Sequence, residues 1–233
     1  MPHFNILKKY SASSSFKAKS IVDLFTIDNN NLQEEFTGAI DIEGRDWNVG
    51  LIVGGSGTGK TTIAKECFGD HIVKELNYSA QSIVDDMPAN LPTKDITEAF
   101  TSVGFASPPS WLKPYSVLSN GEKMRVDLAR SILANEEIFA FDEFTSVVDR
   151  QVAKTGSAAI AKAVRKKGRK FIAITCHHDV TEWLEPDWIY DTDLKRFFFV
   201  RENGGGQKSG STYTKLKGAS ANRFGSVLQS III

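Results

Sequence analysis

Leu51-Ile52-Val53-Gly54-Gly55-Ser56-Gly57-Thr58-Gly59-Lys60-Thr61-Thr62 is the stretch on which the reading of this chain turns. Leu51 to Val53 has the apolar character of a buried strand, and Thr61 to Phe68 continues as a helix, so the glycines occupy a strand-to-helix turn. Glycines there let successive backbone N–H groups from Gly54 through Thr62 point toward one anion, and the start of the helix adds its dipole. Lys60 is then placed to reach the outer phosphates of a nucleotide, and the Thr61 hydroxyl to ligate Mg²⁺. An ordinary glycine turn accounts for the same residues less well, because the strand before and the helix after are both present.

A second stretch supplies chemistry that a phosphate loop lacks. Ile138-Phe139-Ala140-Phe141 is apolar enough for a buried parallel strand, and it ends in Asp142-Glu143. Asp142 would hold Mg²⁺ through water, and Glu143 would polarise an attacking water. A solvated turn can also carry such carboxylates, but the phosphate loop upstream makes that reading the weaker one. Between and beyond these motifs the pattern alternates. Met124, Leu128, Ile132 and Leu133 have helical spacing, Gln151 to Lys166 reads as a helix, and Phe171 to Thr175 as a strand. Trp188 to Asp191 and Arg196 to Val200 are expected as edge strands. The fold class that follows is α/β.

At 233 residues and 25.7 kDa the chain suits one large α/β domain or a domain with a small lobe. Lys plus Arg and Asp plus Glu are equal at 28 each, so no global field attracts nucleic acid or anionic lipid. No apolar run approaches membrane-spanning length, which predicts a soluble protein without direct membrane insertion. Cys67 and Cys176 stand alone and far apart, a pattern of a reducing, cytoplasmic setting. Cys176 beside His177 and His178 raises zinc as a minor reading, with no second ligand pair near it.

The expected organisation is one domain over 1–201 and a flexible Gly-, Ser- and Lys-rich tail over 202–233. Within the domain, short apolar runs in about residues 1–50, Phe16 to Thr26 among them, read as a β lobe. Residues 79–117, polar and broken by prolines, read as a helical insertion whose best helix is Lys94 to Val103. Arg165-Lys166-Lys167-Gly168-Arg169-Lys170 reads as a solvated helix-to-strand turn ahead of a nucleic-acid patch.

Leu118-Ser119-Asn120-Gly121-Glu122 resembles the LSGGQ signature of ATP-binding-cassette (ABC) ATPases, and its distance ahead of Asp142 is similar to that in the family. The same pentapeptide also reads as a plain capping box, Ser119 with Glu122. The resemblance implies a P-loop NTPase core of ABC type with an N-terminal antiparallel β lobe and a reduced helical lobe. It implies ATP and Mg²⁺ as cofactors and hydrolysis of ATP to ADP and phosphate. It further implies a homodimer with ATP sandwiched between the phosphate loop of one chain and the Ser119 hydroxyl, Gly121 amide and helix start of the other. Ser146-Val147-Val148-Asp149 resembles the D-loop, and Thr175-Cys176-His177-His178-Asp179 the switch-histidine segment, with His177 favoured over His178. Lys60, Glu143 and His177 would then be catalytic. Gln81 would be the glutamine that joins Thr61 and Asp142 at the metal, and Phe16, Phe25 or Phe36 would stack on adenine, with a lean to Phe16.

The resemblance runs from about Ile42 to Asp191, and it departs from transporter cassettes in two ways. The interval from Gln81 to Leu118 is short where transporter subunits build the lobe that grips a membrane partner. The run His177 to Trp188 is closer to stand-alone soluble cassettes of bacteria and phages, some fused to acetyltransferase domains; no segment of that size is present here. Asn120 and Glu122 replace the more usual Gly and Gln, and Glu122 would bring a carboxylate near the partner's nucleotide. The leading expectation is an ATP-switched dimer acting on a macromolecule, protein or nucleic acid. The alternatives are the nucleotide-binding subunit of a transporter with a separate membrane protein, a DNA-maintenance ATPase, and a non-hydrolysing scaffold.

Overall fold

The computed structural model describes residues 3–10, 15–26, 33–74, 76–134 and 136–200; the expected tail at 202–233 lies outside them. The N-terminal lobe is an antiparallel pair, β1 (His3–Lys9) and β2 (Gln33–Ala39), in which Lys8 stands opposite Glu34. Between them Phe16–Phe25 is a helix, α1, and not the strand that the sequence reading gave to Phe16 to Thr26. The Ser15 hydroxyl accepts from the Ala18 N–H at 3.2 Å to start it, and Thr26 closes it in the left-handed region at φ 50°. Lysine, alanine and leucine at close spacing favour a helix once such ends are provided.

The main sheet contains β3 (Val49–Val53), β4 (Ile138–Phe141), β5 (Lys170–Thr175), β6 (Trp188–Asp191) and β7 (Arg196–Phe199), in the order β4-β5-β3-β6-β7. All neighbours are parallel except β6 and β7. β6 was expected at an edge, yet it lies inside the sheet with every residue buried, and only β7 forms that edge. The helices are α2 (Lys60–Phe68), α3 (Thr93–Ser102), α4 (Pro108–Trp111), α5 (Asn120–Leu133), α6 (Arg150–Lys167) and α7 (Val180–Leu184).

The period of two along a strand divides the core into two layers. Val49, Leu51 and Val53 of β3 face one cluster with Met124 and Leu128 of α5 and Ile160 and Val164 of α6. Ile52 faces the other, with Phe4 of β1 and Ile63 and Phe68 of α2. Trp188 fills the second layer, its ring 5.5 Å from Trp47 and 6.0 Å from Phe68 between centroids. Its bulk is accommodated by Gly50 on the neighbouring strand, where a Cβ would lie 2.1 Å from the indole. Trp188 is therefore a core residue. Trp183 differs: it is half-buried under the Arg150 guanidinium, 4.9 Å from its centroid.

The stretch expected as a helical insertion is pinched at its base. Tyr78 and Tyr115 stack at 3.9 Å with their planes 3° apart, and both hydroxyls donate to Asp127 of α5, at 2.7 and 2.9 Å. Burial raises the Asp127 carboxyl above its usual range against the pull of those two bonds. α5 itself begins with a complete capping box. Ser119 Oγ accepts from the Glu122 N–H, and the Glu122 carboxylate accepts from the Ser119 N–H at 2.9 Å and from its hydroxyl at 2.8 Å. These bonds, the backbone one first, hold the Glu122 carboxyl below its ordinary value. The carboxylate is thus turned back onto its own helix start.

Two outcomes follow from this packing. Gly50→Ala forces a Cβ into a rigid, buried indole, so thermal unfolding should show a loss of about 1–3 kcal/mol or more. Glu122 stabilises the fold above its unfolded pKa, and that contribution disappears as pH falls through its lowered folded value. Melting temperatures taken between about pH 3 and 6 should therefore fall less steeply in Glu122→Gln than in the parent; parallel curves would show that the capping carboxylate is not the coupled group.

Candidate functional site

Parallel pairing brings the carboxyl ends of three strands together: Val53 is opposite Thr175, and Phe141 is opposite Ala173. Ligands of open α/β sheets bind in the crevice beyond such ends. From β3 the chain enters the glycine loop, where Lys60, almost fully buried, folds its ammonium back to donate to Gly55 O at 2.6 Å. Gly59 has φ 86° and faces the Phe36 ring, which a Cβ would meet at 2.2 Å, so both backbone shape and contact require glycine. The first turn of α2 carries Thr61, whose hydroxyl donates to Asp142 Oδ1 at 3.2 Å. The sequence-expected metal pair is therefore assembled from the helix after β3 and the end of β4. Two hard oxygen donors at this spacing suit Mg²⁺, which takes few protein ligands and completes its shell with water and phosphate.

The turn after β4 is strained. Glu143 has φ 54° and Thr145 φ 67°, left-handed values that cost non-glycine residues on the order of 1–3 kcal/mol each. Two features hold it: Phe144 is buried, with its N–H bonded to Ile174 O at 2.8 Å, and the Ser146 hydroxyl donates to Glu143 Oε2 at 2.6 Å. The result is that Glu143, itself exposed, borders the phosphate-loop cleft while Phe144 anchors the turn. His177 lies beside this turn, Nδ1 3.4 Å from Thr145 Oγ1. His178 turns the other way, to Asp193 Oδ2 at 3.4 Å. Asp193 in turn accepts from the Gly55 N–H at 3.0 Å, and Thr192 Oγ1 meets Thr58 Oγ1 at 2.6 Å, so the β6–β7 turn braces the phosphate loop.

The cleft itself has a volume of about 380 Å³. Ser56, Gly57, Gly59, Lys60, Thr61, Thr62 and Glu143 line it from the main domain, with Cys176, and Lys8, Tyr10, Glu34 and Phe36 from the N-terminal lobe. Of the three aromatics considered for a base, Phe36 borders this cleft; Phe16, the preferred one, is 86% exposed and Phe25 69% exposed on α1. Lys8, Tyr10, Asp193 and Thr192 were not anticipated. Nothing in a strand such as His3–Lys9 marks which lysine will lie against a loop some fifty positions later.

Other expected site residues stand apart from the cleft. Ser119 caps α5, and Gly121 packs so closely on α6 that a Cβ would meet Val152 at 2.8 Å. Asp149 caps α6 by accepting from the Val152 N–H at 2.9 Å. Gln81 is exposed in the stretch between α2 and α3, and it is not among the residues lining the cleft. The segments of Asp149 and His177 are nevertheless linked: Arg150 Nε donates to Asp179 Oδ2 at 2.9 Å, and a second bond joins the same two groups. In the basic run that ends α6 and leads into β5, Lys166 and Lys167 are exposed while the arginines and Lys170 are engaged by the fold. Arg165 donates to the Leu184 and Glu185 carbonyls, Arg169 to Ile132 O at 2.6 Å, and Lys170 pairs with Glu137 at 2.9 Å. Among the described residues no His, Cys, Asp and Glu cluster suits a metal such as zinc, and no helix is long and apolar enough to cross a membrane.

No protein-family model matches the chain. Among curated proteins it is 28% identical over 176 residues to the energy-coupling factor transporter ATP-binding protein EcfA1 of Staphylococcus aureus strain USA300, covering 59% of this chain and 64% of that protein. It is 38% identical over 78 residues to the ABC-type transporter MDR1 of Aureobasidium melanogenum, covering 34% of this chain and 6% of that much longer protein. Among solved structures it is similar to dimeric MJ0796, a bacterial ABC transporter cassette, with TM-score 0.56, 14% identity, and coverage of 72% of this chain and 93% of that one. The post-hydrolysis dimer of MJ0796 bound to ADP and Pi gives TM-score 0.59 at 13% identity, over 86% of this chain and 98% of that one. The chain therefore has the fold of an ABC-type ATP-binding cassette, and the curated proteins it is similar to are transporters or their ATP-binding components.

Proposed function

We propose that this cassette binds ATP with Mg²⁺ in the phosphate-loop cleft and hydrolyses it to ADP and phosphate. The observation that carries this reading is the convergence of Lys60, the Thr61–Asp142 pair and Glu143 at the ends of β3 and β4. Mg²⁺ held by Thr61 and Asp142 would neutralise charge on the phosphates. Lys60 would exchange its bond to Gly55 O for a phosphate oxygen. Glu143 accepts the proton of the attacking water, and His177 orients that water and the terminal phosphate. Gln81 would reach the metal by movement of the stretch around it.

Ser119 and Gly121 lie outside the cleft, so their phosphate contacts would be made to a second copy, giving two ATPs across a homodimer. Asp149 would then lie along the same junction. In this arrangement the Ser119 hydroxyl turns its proton from the Glu122 carboxylate to a terminal phosphate, while its oxygen still accepts from the Glu122 N–H and the Ser119 N–H still donates to the carboxylate.

ATP-driven closure of the pair would work on a partner, and the relatives favour a membrane transport protein in that role, since EcfA1 and MDR1 are transporter components. A second reading, a soluble macromolecular partner, is favoured by one feature of this chain. The segment between Gln81 and Leu118 has, beyond the single turn of α4 and a 3-10 turn at Tyr115–Val117, only the ten-residue α3 as helix. The two arginines of the basic run are bonded to backbone carbonyls, which leaves the exposed Lys166 and Lys167 as its cations facing solvent. The cytoplasm is the compartment that supplies ATP for either partner.

Glu143→Gln is expected to lower the hydrolysis rate about 10²–10⁴-fold while retaining ATP binding, and to accumulate a dimer in ATP by light scattering; a persistent monomer would rule out the sandwich. Mixing Lys60→Ala with Ser119→Arg chains should restore activity that neither has alone, because a heterodimer keeps one intact composite site. Absence of recovery would place the whole site within one chain. Affinity capture on Glu143→Gln with ATP discriminates the partners: an integral membrane protein supports transport, a soluble protein or nucleic acid the second reading.

A further inference from the structure

We propose that Lys8 of the N-terminal lobe is a second phosphate-binding cation, acting on the phosphates that ADP and ATP share. The inference rests on the reading of the cleft as a nucleotide site. Lys8 Nζ donates to Thr62 Oγ1 at 2.5 Å and borders the cleft. Thr62 follows Thr61 at the start of α2, and the two side chains turn to different neighbours, Thr61 to Asp142 and Thr62 to Lys8. The helix start is thus approached by an acid from the sheet side and by a cation from the lobe side.

The charge balance around Lys8 gives this placement its meaning. An ammonium has three donors, and among the described residues Lys8 uses one, on a neutral hydroxyl, with no carboxylate in ion-pair range. The carboxylate opposite it in the β1–β2 pair, Glu34, accepts instead from the Tyr10 hydroxyl at 3.2 Å. A half-buried cation with a neutral partner, beside a loop of backbone N–H groups and a helix N-terminus, has the charge and donors to hold an anion. Lys60 is on the same helix turn, so one phosphate chain can meet both. Lys8 meets the start of α2 from the lobe side at Thr62, whereas Asp142, before the turn where the terminal phosphate would react, meets it at Thr61. Its contact therefore belongs to the inner phosphates and makes no distinction between ADP and ATP.

Calorimetric titration of MgADP, and of MgATP in the Glu143→Gln background, tests this with Lys8→Gln and Lys8→Arg. Lys8→Gln is expected to weaken both nucleotides by about tenfold, the scale of one charge-assisted hydrogen bond. The deficit should shrink as salt is raised, and Lys8→Arg should restore most of the affinity, neither of which a purely structural lysine would show. The melting temperature without nucleotide should stay unchanged. Wild-type affinity for ADP in Lys8→Gln, with Lys60→Ala weakened, overturns the role of Lys8 and leaves the nucleotide site standing. A loss confined to ATP overturns the assignment to the shared phosphates. A deficit that ignores salt and persists in Lys8→Arg reduces Lys8 to a packing role. If the parent chain binds neither nucleotide, the underlying reading of the cleft falls and Lys8 with it.

Discussion

Parallel registration of β4, β5 and β3 is the constraint from which the site is built. With Val53 opposite Thr175 and Phe141 opposite Ala173, the three chains leave the sheet at nearly one level. Residues separated by most of the sequence, Lys60, Asp142 and His177, consequently emerge along one rim. The register is fixed by what each strand buries. A one-residue slip of β5 would exchange Ile172 and Ile174 with Phe171 and Ala173 between the two layers, undoing both at once. Each large side chain committed to those layers contributes about 1.5–3 kcal/mol, more than exposed ion pairs such as Arg45–Asp41, which contribute roughly 0–1 kcal/mol. Apolar packing, then, holds the polar rim in place.

That rigidity is what allows strain to persist at the end of β4. Left-handed backbone at Glu143 and at the β-branched Thr145 would relax in a loose loop. Here Phe144, wholly buried between them, and its bond to β5 fix the turn. The phosphate loop is secured differently, by the β6–β7 turn: Asp193 on the Gly55 amide and Thr192 on Thr58. Thus the acidic turn takes its shape from the core, whereas the glycine loop takes part of its shape from polar contacts with a neighbouring loop.

Much of the main domain was legible because its signals were local. A strand-loop-helix with glycines at Gly57 and Gly59, an apolar run ending at Asp142, and Ser119 three positions before Glu122 each state their own geometry, and β4 and α5 begin where expected. Contacts between distant segments were not legible. Phe16 and Phe36 look alike as aromatic residues in the lobe, yet one sits on an exposed helix and the other against Gly59. Trp188 to Asp191 was expected as an edge strand, but Gly50 on β3 leaves the space that Trp188 fills in the interior. Glu122 stands on the legible side: its spacing from Ser119 reads as a capping box, and the Ser119 N–H donates to its carboxylate.

The paired bonds between Arg150 and Asp179, with the guanidinium stacked over the Trp183 ring, join the start of α6 to the turn after β5. Two loops that leave the sheet from different strands are thereby tied to each other side chain to side chain, so the position of the α6 cap at Asp149 and that of the His177 turn are set by one shared contact as well as by the sheet.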